Sequence, residues 1–282
     1  MKELDDTHIK KSRHLLEILF NPRSIALVGA SSKEKSVGNG IFRNLLYGNF
    51  NGVIYPINPN ANSILGVKTY TSVGEIDDTV DLAIIVVPRN IVTDVIQECG
   101  ESGVQAAVVI TAGFKEIGGE GIAYEEELIE TARTYNLPLL GPNCLGVINT
   151  SPQVRMNATF AKRVPKAGNV SFISQSGAIG VHALEYAAGN DIGFAKFVSI
   201  GNKAVLNEND MLTAFGSDPE TRVILSYAEN FIEPSQFIRR AKKITRSENP
   251  IPILVIKTGT SESGKRAAAS HTGTLTGSDD AY

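Results

Sequence analysis

Ser24-Ile25-Ala26-Leu27-Val28-Gly29-Ala30-Ser31-Ser32 is the stretch that decides how the rest of the chain is read. A largely apolar run of strand length enters a turn containing one glycine, and a helical pattern follows from about Gly38 to Tyr47. Strand, glycine turn and helix in that order offer an anion site, because a helix N-terminus presents unpaired N–H groups and a partial positive charge. The dinucleotide fingerprint is absent. Ser31 stands where the second glycine of G-x-G-x-x-G would be, and the next strand ends Tyr55-Pro56-Ile57-Asn58-Pro59 without an acid for a ribose hydroxyl. A nicotinamide-dependent oxidoreductase is therefore disfavoured.

The same order of elements recurs downstream. Leu82 to Val87 reads as a strand stopped by Pro88, a helix runs from about Ile91 to Ser102, and Ala106 to Ile110 is a further strand. Helices of that length between strands give a parallel, doubly wound α/β sheet, in which ligands bind beyond the carboxyl ends of the strands. Those ends carry Gly29, Ala30, Ser31, Asn58, Pro59, Val87, Pro88, Ile110 and Thr111, which become the candidate ligand-contacting residues. Each alone also reads as an ordinary strand-to-helix turn.

Upstream, His8 to Phe20 is expected to form a short amphipathic helix packed on this first unit. Downstream, a helix is expected from Tyr124 to Tyr135, then a strand ending in the Gly- and Pro-rich turn of Leu137 to Gly146. Asn149 to Asn169 shows no clear period and carries Pro152, Pro165 and Gly168, so a junction is placed there, dividing the chain into residues 1–150 and 151–282. The second unit opens with a strand, Val170 to Ile173, and a turn, Ser174-Gln175-Ser176-Gly177, at the start of a helix reaching Ala188. Ser174, Ser176 and Gly177 suit a phosphate, and a structural N-cap explains the same letters about as well. Strands at Ala195 to Ile200, Val223 to Ala228 and Ile251 to Ile256 alternate with helices at Glu208 to Phe215 and Pro234 to Thr245. Glu229 sits at a strand's carboxyl end, where a carboxylate points into a site. The basic residues of the last helix read as a solvated face. The last strand delivers Lys257 to Gly277, in which one histidine, His271, stands among glycine, serine, alanine and threonine, a composition suited to a moving loop with one nucleophile.

Composition narrows the classes. At 282 residues, 42% hydrophobic and 20% charged with net charge -3, the chain has room for two cores and no basic surplus for nucleic acid. Cys99 and Cys144 match no metal-ligand spacing, so no metal is expected, and so few cysteines point to a reducing cytoplasm. The charged start lacks the apolar core of a signal peptide, and no run approaches the roughly 18 apolar residues of a membrane span.

Taken together, SIALVGAS, YPINP, LGPNCLG, SQSGAIG and GKRAAASHTG, in this order and at this spacing, resemble the nucleoside-diphosphate-forming acyl-CoA synthetases, relatives of the succinyl-CoA synthetase α subunit. The resemblance runs from about Leu19 to Tyr282 and implies an N-terminal Rossmann-like CoA-binding domain followed by a flavodoxin-like doubly wound domain. It implies that His271 is phosphorylated during turnover, that Glu229 hydrogen-bonds it, and that the turn from Ser174 to Gly177 holds the phosphohistidine. The implied reaction is acyl-CoA, ADP and phosphate giving acid, CoA and ATP, through an acyl phosphate. ADP or ATP and Mg belong to an ATP-grasp portion, in a β subunit or in a further domain, since Tyr282 follows soon after the histidine loop. The isolated chain is then expected not to complete the ADP half-reaction. Family members pair α and β parts, so an oligomer is expected.

One departure from the family pattern is that Asn60, Ala61 and Asn62 follow Asn58-Pro59, where relatives often place a lysine near the CoA phosphates. Small residues at Gly113, Asn143 and Ser176 to Val181 suggest a short acyl group. The alternative is a non-catalytic CoA-binding regulatory module, such as half of a protein acyltransferase. The pairing of His271 with Glu229 favours the enzyme, because a sensor has no use for a nucleophile on a mobile loop.

Overall fold

The computed structural model describes residues 14–258. Residues 14–20 are helical (α1), and β1 (Ser24–Val28), α2 (Val37–Tyr47) and β2 (Val53–Ile57) follow. A two-residue hairpin, β3 (Ser63–Ile64) and β4 (Val67–Lys68), turns through Leu65 and Gly66, both with positive φ. Then come β5 (Leu82–Ile85), α3 (Val92–Glu101), β6 (Ala106–Val109), α4 (Glu120–Thr134) and β7 (Leu139–Leu140). The first sheet has the order β2-β1-β5-β6-β7, and every pairing in it is parallel.

The second half supplies β8 (Gly146–Asn149), β9 (Met156–Thr159), β10 (Ala167–Ser174), α5 (Gly177–Gly189), β11 (Phe194–Ser199), α6 (Glu208–Gly216), β12 (Val223–Ala228), α7 (Pro234–Thr245) and β13 (Ile253–Lys257). Its sheet runs β13-β12-β10-β11-β8-β9. The first four strands are parallel, and β8 and β9 continue the sheet antiparallel. The stretch expected to be aperiodic therefore holds a strand. Its pattern was hidden because Asn157 and Thr159 are both buried and satisfy each other, Thr159 Oγ1 bonding Asn157 Oδ1 at 2.6 Å. Helix α4 begins at Glu120, earlier than the expected Tyr124. Its Gly121 reads as loop, but a Cβ there would stand 2.0 Å from the Phe114 carbonyl oxygen, so this glycine lets the first helical turn pack closely.

Apolar faces explain the layers. α3 and α4 bury Ile96, Cys99, Leu128 and Ala132 against one face of the first sheet. α5 buries Leu184 and Ala187 with Phe172, Phe194 and Phe197 on one face of the second. The remaining faces share a single core that joins Leu19 and Phe20 of α1, Ile41, Phe42 and Leu45 of α2, and Met211, Leu212 and Phe215 of α6. Phe20 and Phe215 meet at 5.3 Å between ring centroids, and Asn149 Nδ2 donates to the Phe20 carbonyl at 2.8 Å. α1 thus packs on both halves of the chain, not on the first alone. Burying a phenylalanine such as Phe20 contributes about 1.5–3 kcal/mol, so this contact helps hold the two sheets together.

Candidate functional site

In the first sheet β1 lies between β2 and β5, so the chain leaves β1 in one direction and returns on its other side. A crevice opens at such a switch point, beyond the carboxyl ends of the strands. Gly29, at φ +92°, occupies it, and a Cβ there would stand 2.1 Å from the Val86 carbonyl oxygen. A Cβ on Gly38 would stand 2.0 Å from the Gly29 carbonyl oxygen, so the first turn of α2 rests on the β1 turn. Ser36 caps that helix by accepting the Asn39 N–H at 3.2 Å, and Asn39 Nδ2 donates to the Ser31 carbonyl at 2.8 Å. The neighbouring strand ends are tied together. Asn58 Nδ2 donates to the Ala30 carbonyl at 2.8 Å, and Thr111 Oγ1 to the Val87 carbonyl at 2.7 Å. Pro59 and Pro88 are exposed beside them. Lys33 and Lys35 are exposed on the β1–α2 loop, a source of positive charge that the sequence reading passed over.

The second sheet repeats the device, with β10 between β11 and β12. Ser176 is the N-cap of α5 and accepts the Ile179 N–H at 3.4 Å, and Gly177 opens the helix. Ser174 is fully buried and spends its hydroxyl on the Ser176 carbonyl at 2.7 Å, so it shapes the turn from beneath. Glu229 follows β12 and is 8% exposed. Gln175 Oε1 accepts the N–H groups of Glu229 at 2.9 Å and Asn230 at 3.2 Å, while its Nε2 donates to Asn230 Oδ1 at 2.7 Å.

A cleft of about 610 Å³ runs from the second switch point, at Gln175, Ser176 and Glu229, to Val37 of α2 and to Val86, Ile110 and Thr111 beyond the ends of β5 and β6. Of the residues singled out from the sequence, Ile110, Thr111, Ser176, Gly177 and Glu229 line it, as do Asn143, Ala178 and Val181 from the expected acyl pocket. Gly113 does not line it, and Gly29, Ala30, Ser31, Asn58, Pro59, Val87, Pro88 and Ser174 lie outside its lining. His271 lies outside the described residues.

Sequence reasoning missed the polar wall between the halves. Lys203 is 6% exposed, and burial lowers its pKa from the ordinary lysine value, against the opposing pull of Glu208 at 3.1 Å. Lys115 pairs with buried Glu125 at 2.8 Å, and Asn202 Nδ2 donates to Glu116 at 2.6 Å and Glu125 at 2.7 Å. The one available signal was polar residues in the turn after β11, where a solvent-exposed loop reads the same way. Chemically, the cleft sets a helix N-terminus beside a carboxylate at the end of the adjacent strand. The first can hold an anion, and the second can accept an N–H from an imidazole.

Two doubly wound α/β units thus contribute to one cleft. Residues 23–150 match a family model described as "CoA binding domain", and residues 167–282 one described as "Succinyl-CoA ligase like flavodoxin domain". Acetate–CoA ligase [ADP-forming] I of Archaeoglobus fulgidus is 48% identical over 95% of this chain and 38% of its own length. Succinate–CoA ligase [ADP-forming] subunit alpha 1 of the same organism is 30% identical, over 73% of this chain and 68% of its own length. Among solved structures, the dinucleotide-forming acetyl-coenzyme A synthetase 1 of Ca. Korarchaeum cryptofilum, in complex with phosphate and ADP, superposes with a TM-score of 0.87. It is 47% identical over 94% of this chain and 56% of that one. The chain belongs to the ADP-forming CoA ligase family. It spans about two fifths of the Archaeoglobus acetate–CoA ligase. The regulatory alternative finds no support in these relatives, which are named as ligases and a synthetase. No helix among the described residues is long and apolar enough to cross a membrane.

Proposed function

We propose that this chain is the CoA-binding and phosphohistidine portion of an NDP-forming acyl-CoA synthetase. The observation that carries the reading is that one cleft sets Glu229 beside the α5 N-terminus at Ser176 and Gly177 and reaches Val86, Ile110 and Thr111 beyond the ends of β5 and β6. CoA supplies the thiol whose thioester is the acyl donor. Gly29, Ala30, Ser31, Asn58, Pro59, Val87, Pro88, Ile110 and Thr111 bind it, and Gly29 and Gly38 let the β1 turn, the end of β5 and the start of α2 pack closely enough to shape that crevice. Exposed Lys33 and Lys35 stand in for the cation missing after Pro59.

Phosphate attacks the thioester carbonyl, and CoA leaves as its thiolate. One ring nitrogen of His271 then attacks the phosphorus of the acyl phosphate, and the carboxylate leaves. Glu229 accepts an N–H from the other ring nitrogen, which fixes the reactive tautomer and balances the positive charge that develops. The N-terminus of α5 offsets the phosphoryl charge, with Ser174 holding its turn in shape.

ADP receives the phosphoryl group at an ATP-grasp portion with bound Mg, in a partner β subunit or a further domain, within an oligomer. The α-subunit name of one relative supports such a division. The same proposal divides the chain at residue 150, with the two family models on either side of that point, although β8 (Gly146–Asn149) already joins the second sheet ahead of it. A short acyl group and a reducing cytoplasm complete it. The small residues lining the cleft support the first, and buried, unpaired Cys99 and Cys144 the second.

The test is incubation with radiolabelled phosphate plus acetyl-CoA, and with labelled ATP plus an ATP-grasp subunit. Acid-labile, alkali-stable label on the wild-type chain and none on His271→Asn is the expected result. No label under either condition, with CoA binding intact, would overturn the reading.

A further inference from the structure

The turn Gly201-Asn202-Lys203 after β11 faces both ways at once. Gly201 and Lys203 have φ of 52° and 60°, and a Cβ on Gly201 would stand 2.2 Å from the Pro142 carbonyl oxygen. Asn202 reaches into the first half of the chain. Its backbone N–H donates to the Pro142 carbonyl at 2.9 Å, its side chain to Glu116 and Glu125, and its carbonyl accepts Lys115 Nζ. Lys203 reaches the other way, donating to the Asn230 carbonyl at 2.9 Å, to Asn230 Oδ1 at 2.8 Å and to Gln175 Oε1 at 3.4 Å, with the Glu208 carboxylate paired to it at 3.1 Å. An ammonium has three N–H donors, so these partners use all of them and none is left for a substrate.

Glu208 is 1% exposed, and its other oxygen accepts the Ile232 N–H at 2.6 Å. The ion pair therefore grips the chain just after Glu229 at two points, Asn230 through the lysine and Ile232 through the glutamate. Gln175 holds the same segment at Glu229 and Asn230.

We propose that Asn202 and Lys203 form a positioning strap that registers Glu229 against the strand-end loops of the first sheet, with Lys203 acting through Asn230. This rests on the phosphohistidine reading above. A neutral residue in place of Lys203 would leave the glutamate charge buried and uncompensated. The useful variant is therefore the double Lys203→Met/Glu208→Gln, with Asn230→Ala as a milder second test that removes only the side-chain acceptor.

The measurements are CoA affinity by calorimetry, the rate of His271 labelling from phosphate and acetyl-CoA across phosphate concentrations, and amide hydrogen exchange at residues 229–232. The double variant is expected to bind CoA as wild type does and to exchange faster at 229–232. It should lose about 100-fold in maximal labelling rate, the scale that an ångström of misplacement costs, without a change in half-saturating phosphate. Asn230→Ala should shift the same quantities in the same direction by less. Wild-type labelling rates in both variants, or equal losses in CoA binding and labelling, would overturn the strap. So would unchanged hydrogen exchange. An unlabelled wild type would instead overturn the phosphohistidine reading, and the strap's role in catalysis with it.

Discussion

Gln175, at the carboxyl end of β10, accepts the backbone N–H of Glu229, at the carboxyl end of β12, across 2.9 Å. The two strands part at this switch point, and a side-chain amide takes over where the sheet's own ladder stops. Glu229 is held by its backbone, which leaves the orientation of its carboxylate to the groups around it.

Gln175→Leu removes the acceptor shared by two N–H groups and is expected to destabilise the chain by about 1–3 kcal/mol, the cost of a buried donor left unsatisfied. Urea unfolding measures it. An unchanged midpoint would mean that water replaces the amide.

Two glycines of α2 should respond in opposite directions. Gly38→Ala drives a methyl group to 2.0 Å from the Gly29 carbonyl oxygen and should cost about 1–3 kcal/mol as overpacking, with weakened CoA binding. At Gly40 the nearest atom is 3.7 Å away, so Gly40→Ala should stabilise by roughly 0.5–1 kcal/mol. Thermal melts with and without CoA separate the two.

Lys196 and Asp218, both buried, pair at 2.8 Å, and Asp218 also accepts the Thr221 hydroxyl at 2.6 Å. Asp218→Ala removes one of two carboxylates, since the partly exposed Glu220 also pairs with Lys196 at 2.8 Å, and should cost about 1–3 kcal/mol. The pair of Lys166 with Asp191 at 3.0 Å is exposed on both sides, so Lys166→Ala should cost at most about 1 kcal/mol. Similar unfolding midpoints for the two variants would refute this ranking.

Burial pushes the thiols of Cys99 and Cys144 from 9.0 up to about 12. The folded state therefore holds these protons more tightly than the unfolded one. That stability is complete below pH 9 and is lost as pH rises from there toward 12. Neither thiol should react with an aromatic disulfide reagent at pH 8 until urea unfolds the chain, and rapid native labelling at either position would contradict this.

Some elements could be read to the residue. The apolar runs Ser24–Val28 and Val223–Ala228 became β1 and β12 with the expected bounds, and α7 begins at Pro234 because proline's fixed φ suits the first helical turn. The β8–β9 pair escaped, since its buried polar residues are satisfied by contacts that no local pattern shows. The turn residues of the candidate site were legible as glycines, serines and a carboxylate at strand ends. Gln175, Asn202 and Lys203 were not, because buried polar residues and solvated ones are written with the same letters.

The sequence by itself determined the alternation of strands and helices and the glycine turns, which rest on local periodicity and local backbone preference, and the family likeness, which rests on five motifs in order. Only the tertiary structure decided the strand orders, which create two switch points, and the shared core that brings the second of them and the ends of β5 and β6 to one cleft. Lys203 meets Asn230 and Gln175 meets Glu229 across long stretches of chain, through sheet register and core packing. Those are properties of the assembled fold, and no segment of the sequence carries them alone.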